Sequence, residues 1–122
     1  PQAARERAVA GALPILMRHF QAVELKGWLG TQPGPVTLLD VREPWEFERC
    51  RIDGSRLIPL AQLPARLGEL DPAVPTVVIC HHGVRSLRAA AYLEHCGFAD
   101  VVNLSGGIDA WAKSVDPGVP VY

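Results

Sequence analysis

The sequence predicts an α/β domain, a sheet of about five mostly parallel strands flanked by helices on both faces. Three observations point there. The runs VTLLDV (Val36 to Val41) and TVVIC (Thr76 to Cys80) are nearly continuous in apolar residues rather than alternating, as strands covered on both sides are. Helix-like segments separate such runs, which is the pattern of a parallel sheet with helical crossovers. The length of 122 residues, with 48% hydrophobic and 20% charged content, suits a single buried core and no more.

In chain order, residues 1–17 are expected to form an N-terminal arm of unknown role and residues 18–122 the domain proper. The arm holds the longest apolar stretch, AVAGALPILM from Ala8 to Met17, which Pro14 interrupts and which falls short of the roughly 20 residues that span a bilayer. Arg5 and Arg7 precede it as in a signal-peptide core, but no small-residue cleavage site follows. A start at Pro1 with the sole methionine at position 17 suits a processed form or a piece of something longer.

The first strand is RHF around His19, and VELKGWLG (Val23 to Gly30) is a helix ended by Gly30 and the TQPGP linker. VTLLDV follows as a strand, then PWEFER (Pro44 to Arg49) as a short helix opened by proline in its first turn. RLIPL near Leu57 is a weaker strand, and Ala61 to Leu70 is helical, closed by Asp71 and Pro72. After TVVIC, the stretch SLRAAAYLEHCGF places Ala89, Ala90, Leu93 and Cys96 on one helical face and Arg88, Tyr92 and His95 on the other, with Gly97 as the stop. DVVNL near Val102 is the last strand, and prolines keep the tail DPGVPVY extended.

Charge narrows the function. Twelve Lys and Arg against thirteen Asp and Glu leave a formal charge of -1, with no electrostatic footprint for nucleic acid or an anionic membrane. Three cysteines are an odd number and no disulfide framework, so a reducing compartment, the cytoplasm, is the expected setting.

Ligands of open parallel sheets bind beyond the carboxyl ends of the strands. One strand there delivers Asp40, Arg42 and Glu43; another ends at Cys80 and runs straight into HHGVRS before its helix. Backbone N–H groups and the positive end of a helix converge on such a cysteine and favour the nucleophilic thiolate. Gly83 can take positive φ and curl the loop inward. Arg85 adds a permanent cation and a planar donor fork for an anionic substrate. Cys80 is therefore the candidate nucleophile, and His81, His82, Gly83, Val84, Arg85 and Ser86 are the candidate anion-binding loop.

Cys96 reads as packing on the apolar helix face. Cys50 reads as packing too, with approach to the site as a second thiol as its alternative. His81 and His82 are loop-lip residues that either modulate substrate charge or are simply exposed. Adjacent residues rarely ligate one ion together, and no CxxC or HxxxH partner lies elsewhere, so no metal is expected. His19 and His95 read as surface histidines.

The loop CHHGVRS (Cys80 to Ser86), LLDVREPWEFE (Leu38 to Glu48), IPL (Ile58 to Leu60) and NLSGGIDAW (Asn103 to Trp111), in that relation, resemble a single-domain rhodanese over about Arg18 to Tyr122. The resemblance implies a five-stranded parallel sheet and a catalytic cysteine at Cys80, under loop amides that point at its sulfur. It also implies that Asp40 and Arg42 brace the loop. Where the family often carries Gly-His-Ile, this chain has Cys50, Arg51 and Ile52.

It further implies sulfur transfer through a Cys80 persulfide, from a donor such as thiosulfate to cyanide, a thiol or a protein, with no cofactor. The implied partners are a small-molecule donor and acceptor, or a sulfur-carrier protein or adenylylating enzyme. One alternative is a phosphatase or arsenate reductase, whose loop reads Cys, five residues, Arg; here four residues intervene, a smaller cradle. The other is a non-catalytic regulatory or binding domain of the same fold, which the intact loop disfavours.

Overall fold

The computed structural model describes residues 17–122. The expected arm lies outside the described residues apart from Met17, which packs against the core. Five strands, β1 (Arg18–Phe20), β2 (Thr37–Asp40), β3 (Arg56–Leu57), β4 (Thr76–Ile79) and β5 (Val101–Leu104), form one sheet in the order β1-β5-β4-β2-β3, and every pairing is parallel. All five lie where the sequence predicts strands. The central pair β4 and β5 is buried at every position; β4 accordingly reads as a nearly unbroken apolar run, while β5 carries the polar Asn103 inside VVNL.

Among the described residues five α-helices accompany the sheet: α1 (Ala22–Leu29), α2 (Pro44–Arg49), α3 (Leu63–Arg66), α4 (Val84–His95) and α5 (Gly107–Ser114). Side chains alternate across each strand, so Val77 and Ile79 face one core with Leu25 of α1 and Ile108 and Trp111 of α5. Val78 and Cys80 face the other, with Ala89, Ala90 and Leu93 of α4 and Leu63 of α3. Among the described residues no helix is long and apolar enough to cross a membrane.

The structure departs from the sequence reading at three points. The segment expected as one helix over Ala61 to Leu70 is broken into 3-10 turns at Leu60–Gln62 and Leu67–Glu69 around the short α3, which carries Pro64 at its start. Cys96 is exposed, because α4 ends at His95, Cys96 caps it, and the backbone turns away immediately afterwards through Gly97 at φ 92°. α5, which no sequence expectation included, opens from two consecutive glycines with positive φ, Gly106 and Gly107, and closes the core with Ile108, Trp111 and Ala112.

Candidate active site

Cys80 follows β4 and is 1% exposed, at the floor of a loop leading into α4. Gly83, at φ 102°, turns that loop, and its N–H donates to Cys80 Sγ at 3.0 Å. A side chain at Gly83 would crowd the Gly106 nitrogen at 3.1 Å, so the absence of a Cβ serves both the turn and the packing beneath it. The start of α5 holds the other side of the loop: Ile108 N–H donates to the Cys80 carbonyl at 2.8 Å and Asp109 N–H to that of His81 at 3.1 Å. The loop is thus pinned by the backbone of an element 27 residues downstream of Cys80, counting to Gly107.

Ser86, fully buried, lies 3.3 Å from Cys80 Sγ and donates its hydroxyl to Asn103 Oδ1 at 2.6 Å. Val84, in contrast, is 70% exposed, so its contribution is to the backbone path of the loop and the start of α4.

Arg85 is placed at the loop mouth as expected, half-buried, but its fork is occupied. Both terminal nitrogens donate to Glu46, at 2.6 and 2.9 Å, in a bidentate pair. Glu46 is 3% exposed and projects from α2, where its other role is to accept the Glu43 N–H at 2.9 Å. The Arg85 guanidinium holds the Glu46 carboxyl down to about 2 against the upward pull of burial, and Glu46 in turn raises Arg85.

A group depressed in this way stabilises the fold above its unfolded value of about 4.5 and ceases to do so as the pH falls towards 2. Stability measured by urea unfolding is expected to drop by roughly 2–3 kcal/mol from this group between pH 6 and pH 2.5. Glu46→Gln should remove that part of the pH dependence.

Asp40 and Arg42 form an ion pair at 2.7 Å in which both side chains are fully buried. Such a pair is tolerable only when every donor is used. Here the Arg42 nitrogens also reach the Cys50 carbonyl at 2.6 Å, the Glu46 carbonyl at 3.2 Å and the Tyr122 hydroxyl at 2.8 Å. Burial would lower the Arg42 guanidinium, but Asp40 and Tyr122 more than offset it and the balance is upward. The bracing expected of Asp40 and Arg42 is therefore indirect, through α2 and Tyr122 and on through Glu46 to Arg85.

Tyr122 completes that path, a role the sequence does not suggest. Its hydroxyl donates to Glu46 Oε2 at 2.8 Å while accepting from Arg42, and its ring stacks on His81 at 3.9 Å and 5°. Burial and the Glu46 carboxylate push its phenol up to about 12, Arg42 opposing. Burial and neighbouring His82 lower His81, which favours its neutral ring. His82 is exposed, stacked on His81 at 3.9 Å, and lies 4.0 Å from Asp109. His81 is thus a packed member of the loop rather than an open lip residue.

Cys50 belongs to the core on the α1 and α5 side and Cys80 to the core on the α4 side, so the sheet separates the two sulfurs and Cys50 is not a second thiol of the site. Beside Arg85 a cavity of about 550 Å³ opens between Leu60–Pro64 and the face of α4 carrying Arg88 and Tyr92.

Known proteins match this arrangement. Residues 21–114 match the family described as the rhodanese-like domain. The chain is 40% identical over 101 residues to the probable adenylyltransferase/sulfurtransferase MoeZ of Mycobacterium tuberculosis, covering 81% of this chain but only 26% of that protein. It is 38% identical over 84 residues to the thiosulfate sulfurtransferase GlpE of Shewanella oneidensis, covering 69% of this chain and 83% of that one. The crystal structure of a rhodanese-like domain protein from Staphylococcus aureus superimposes with a TM-score of 0.73 at 33% identity, over 87% of this chain and 99% of that chain. With relatives named as sulfurtransferases and a parallel five-stranded sheet that presents Cys80 to Ser86 at the carboxyl end of β4, the chain belongs to the rhodanese-like domain family.

Proposed function

We propose that this chain transfers sulfane sulfur through a persulfide on Cys80. The observation that carries the reading is the setting of Cys80 Sγ, which takes the Gly83 N–H at the floor of a loop whose only full side-chain cation is Arg85. In the first step the Cys80 thiolate attacks the outer sulfur of thiosulfate; the new S–S bond forms, the old one breaks, and sulfite leaves with the bonding pair. In the second step a nucleophilic acceptor takes the outer sulfur, and the Cys80 thiolate departs. Neither step has net oxidation or reduction to supply from outside.

The 1% exposure of Cys80 favours this over phosphoryl chemistry, since a sulfur at the end of its donor enters a narrow floor more readily than a tetrahedral phosphate. Arg85 serves the donor from the mouth, with Glu46 fixing the plane of its guanidinium. The cavity of about 550 Å³ beside it gives room for the body of an acceptor, either a small thiophile or the end of a sulfur-carrier protein.

The test is the intact mass of the protein after incubation with thiosulfate. A gain of about 32 Da, one sulfur per chain, lost again on adding cyanide, is the expected result. No gain with thiosulfate or with an organic persulfide donor would overturn the reading in favour of a binding domain.

A further inference from the structure

Ser86 has one hydroxyl hydrogen, and the shorter of its two polar contacts claims it. At 2.6 Å it is given to Asn103 Oδ1, so at the 3.3 Å contact with Cys80 the thiol is the donor and Ser86 Oγ the acceptor. That arrangement suits a protonated sulfur only. Rhodanese-type transfer, on the reading above, runs through a thiolate and then a persulfide, and in both the Cys80 sulfur can only accept.

Without its proton, Sγ would face a lone pair of Ser86. Rotating the Ser86 hydroxyl onto the sulfur relieves this, but leaves two oxygens, Ser86 Oγ and Asn103 Oδ1, facing each other in a buried place. Ser86 is fully buried and Asn103 is 4% exposed, so water is not at hand to separate them. Turning the Asn103 amide over resolves the conflict. Its Nδ2 then donates to Ser86 Oγ, and Oδ1 turns towards the side where Nδ2 now stands, 3.5 Å from Nδ1 of His19. His19 is the register partner of Asn103 across β1 and β5 and is exposed, so its ring can supply an Nδ1–H there in the Nδ1-protonated tautomer or as the imidazolium.

We propose that Asn103 is a positioning residue whose amide turns over so that the Ser86 hydroxyl donates to Cys80 Sγ whenever that sulfur carries no proton. Both arrangements of the chain Cys80–Ser86–Asn103–His19 leave Cys80 Sγ, Ser86 Oγ and the Asn103 Oδ1 and Nδ2 with a partner each. This explains an asparagine in the middle of the otherwise apolar run VVNL, since neither aspartate nor leucine can serve both.

The experiment follows the pH titration of the Cys80 Cβ carbon resonance in protein labelled at cysteine, the signal being assigned by its absence in Cys80→Ser. It needs no sulfur donor, so it reads this proposal even if the sulfurtransferase reading fails, and the thiosulfate mass test reads that one separately. The charged and titratable groups around the site, Arg85 with Glu46 from α4 and α2, His81 and His82 from the loop, Asp109 from α5, Asp40 of β2 with Arg42, His19 of β1 and Tyr122, are kept in all variants, and Asn103→Asp alone adds a carboxylate, which the double variant below controls for.

Ser86→Ala removes the donor and is expected to move the midpoint up by about one pH unit, a tenfold change in the thiolate fraction. Asn103→Asp, acceptor-only, should do the same by holding the Ser86 hydrogen away from the sulfur. Asn103→Leu frees that hydrogen and should leave the midpoint level or lower. The double variant Ser86→Ala with Asn103→Asp should rise no further than Ser86→Ala alone, because the two act through one hydrogen bond. An additive double variant would assign the effect to the carboxylate charge and overturn the proposal. A rise in Asn103→Leu equal to that in Ser86→Ala would overturn it too, and this comparison stands even if Asn103→Asp does not fold.

Discussion

Cys80→Ser is expected to lose sulfur transfer by about four orders of magnitude or more, as removal of a nucleophile does elsewhere. The alcohol left behind is not ionised near neutrality, and an oxygen in its place forms no persulfide. Folding should survive. The smaller hydroxyl keeps the Gly83 N–H and Ser86 as partners, and the site is already polar on that side. Intact mass after thiosulfate should therefore show no sulfur gain in the variant, while its melting curve stays within a few degrees of the wild type. A gain that persists would place the carrier elsewhere. Cys96, exposed at the end of α4, is then the residue to replace next, whereas Cys50 is enclosed on the far side of the sheet.

Most of the frame is legible in the sequence because parallel strands buried on both faces leave a local signal. Leu38 and Leu39 fill the middle of β2, three of the four positions of β4 are apolar, and Pro44 marks the first turn of α2. Cys80, Gly83 and the start of α4 are contiguous, so the loop reads as one unit. What escapes is joined only in space. Glu46 meets Arg85 across 39 residues and Tyr122 meets Arg42 across 80, and no spacing rule connects such positions.

Other features carry a local signal that is easily passed over. Ile108, Trp111, Ala112 and Val115 have helical spacing, and Asp109 with Lys113 forms an i,i+4 ion pair at 3.0 Å, so α5 is legible once the paired glycines are taken as a helix start rather than a loop. The polar Asn103 inside an apolar strand is equally visible. Cys96 fails for a different reason: the helical spacing that includes it runs one residue past the end of the helix, and that residue turns out of the core.

Gly107→Ala is expected to have the second largest effect, although residue 107 touches no substrate. Two costs combine there. Gly107 sits at φ 62°, where an L-residue is strained by about 1 kcal/mol. The larger cost is steric. A Cβ at this position would stand 2.5 Å from the Cys80 carbonyl oxygen and closer still to that of His81. Both obstacles are backbone, so no side chain can swing aside. The active loop must lift from the start of α5, and the bonds from Ile108 and Asp109 to the Cys80 and His81 carbonyls stretch with it.

A loss of roughly 3–5 kcal/mol in urea unfolding is expected, together with a fall in sulfur transfer larger than the unfolded fraction explains, since the loop that remains is displaced. Gly27→Ala is the control. It lies in α1 with nothing within 4 Å of where the added methyl would stand and an ordinary helical backbone, so it should stabilise by about 0.5–1 kcal/mol. If Gly107→Ala proved as stable and as active as the parent, the loop would not depend on the close approach of α5, and the pinning of Cys80 by that helix would have to be abandoned.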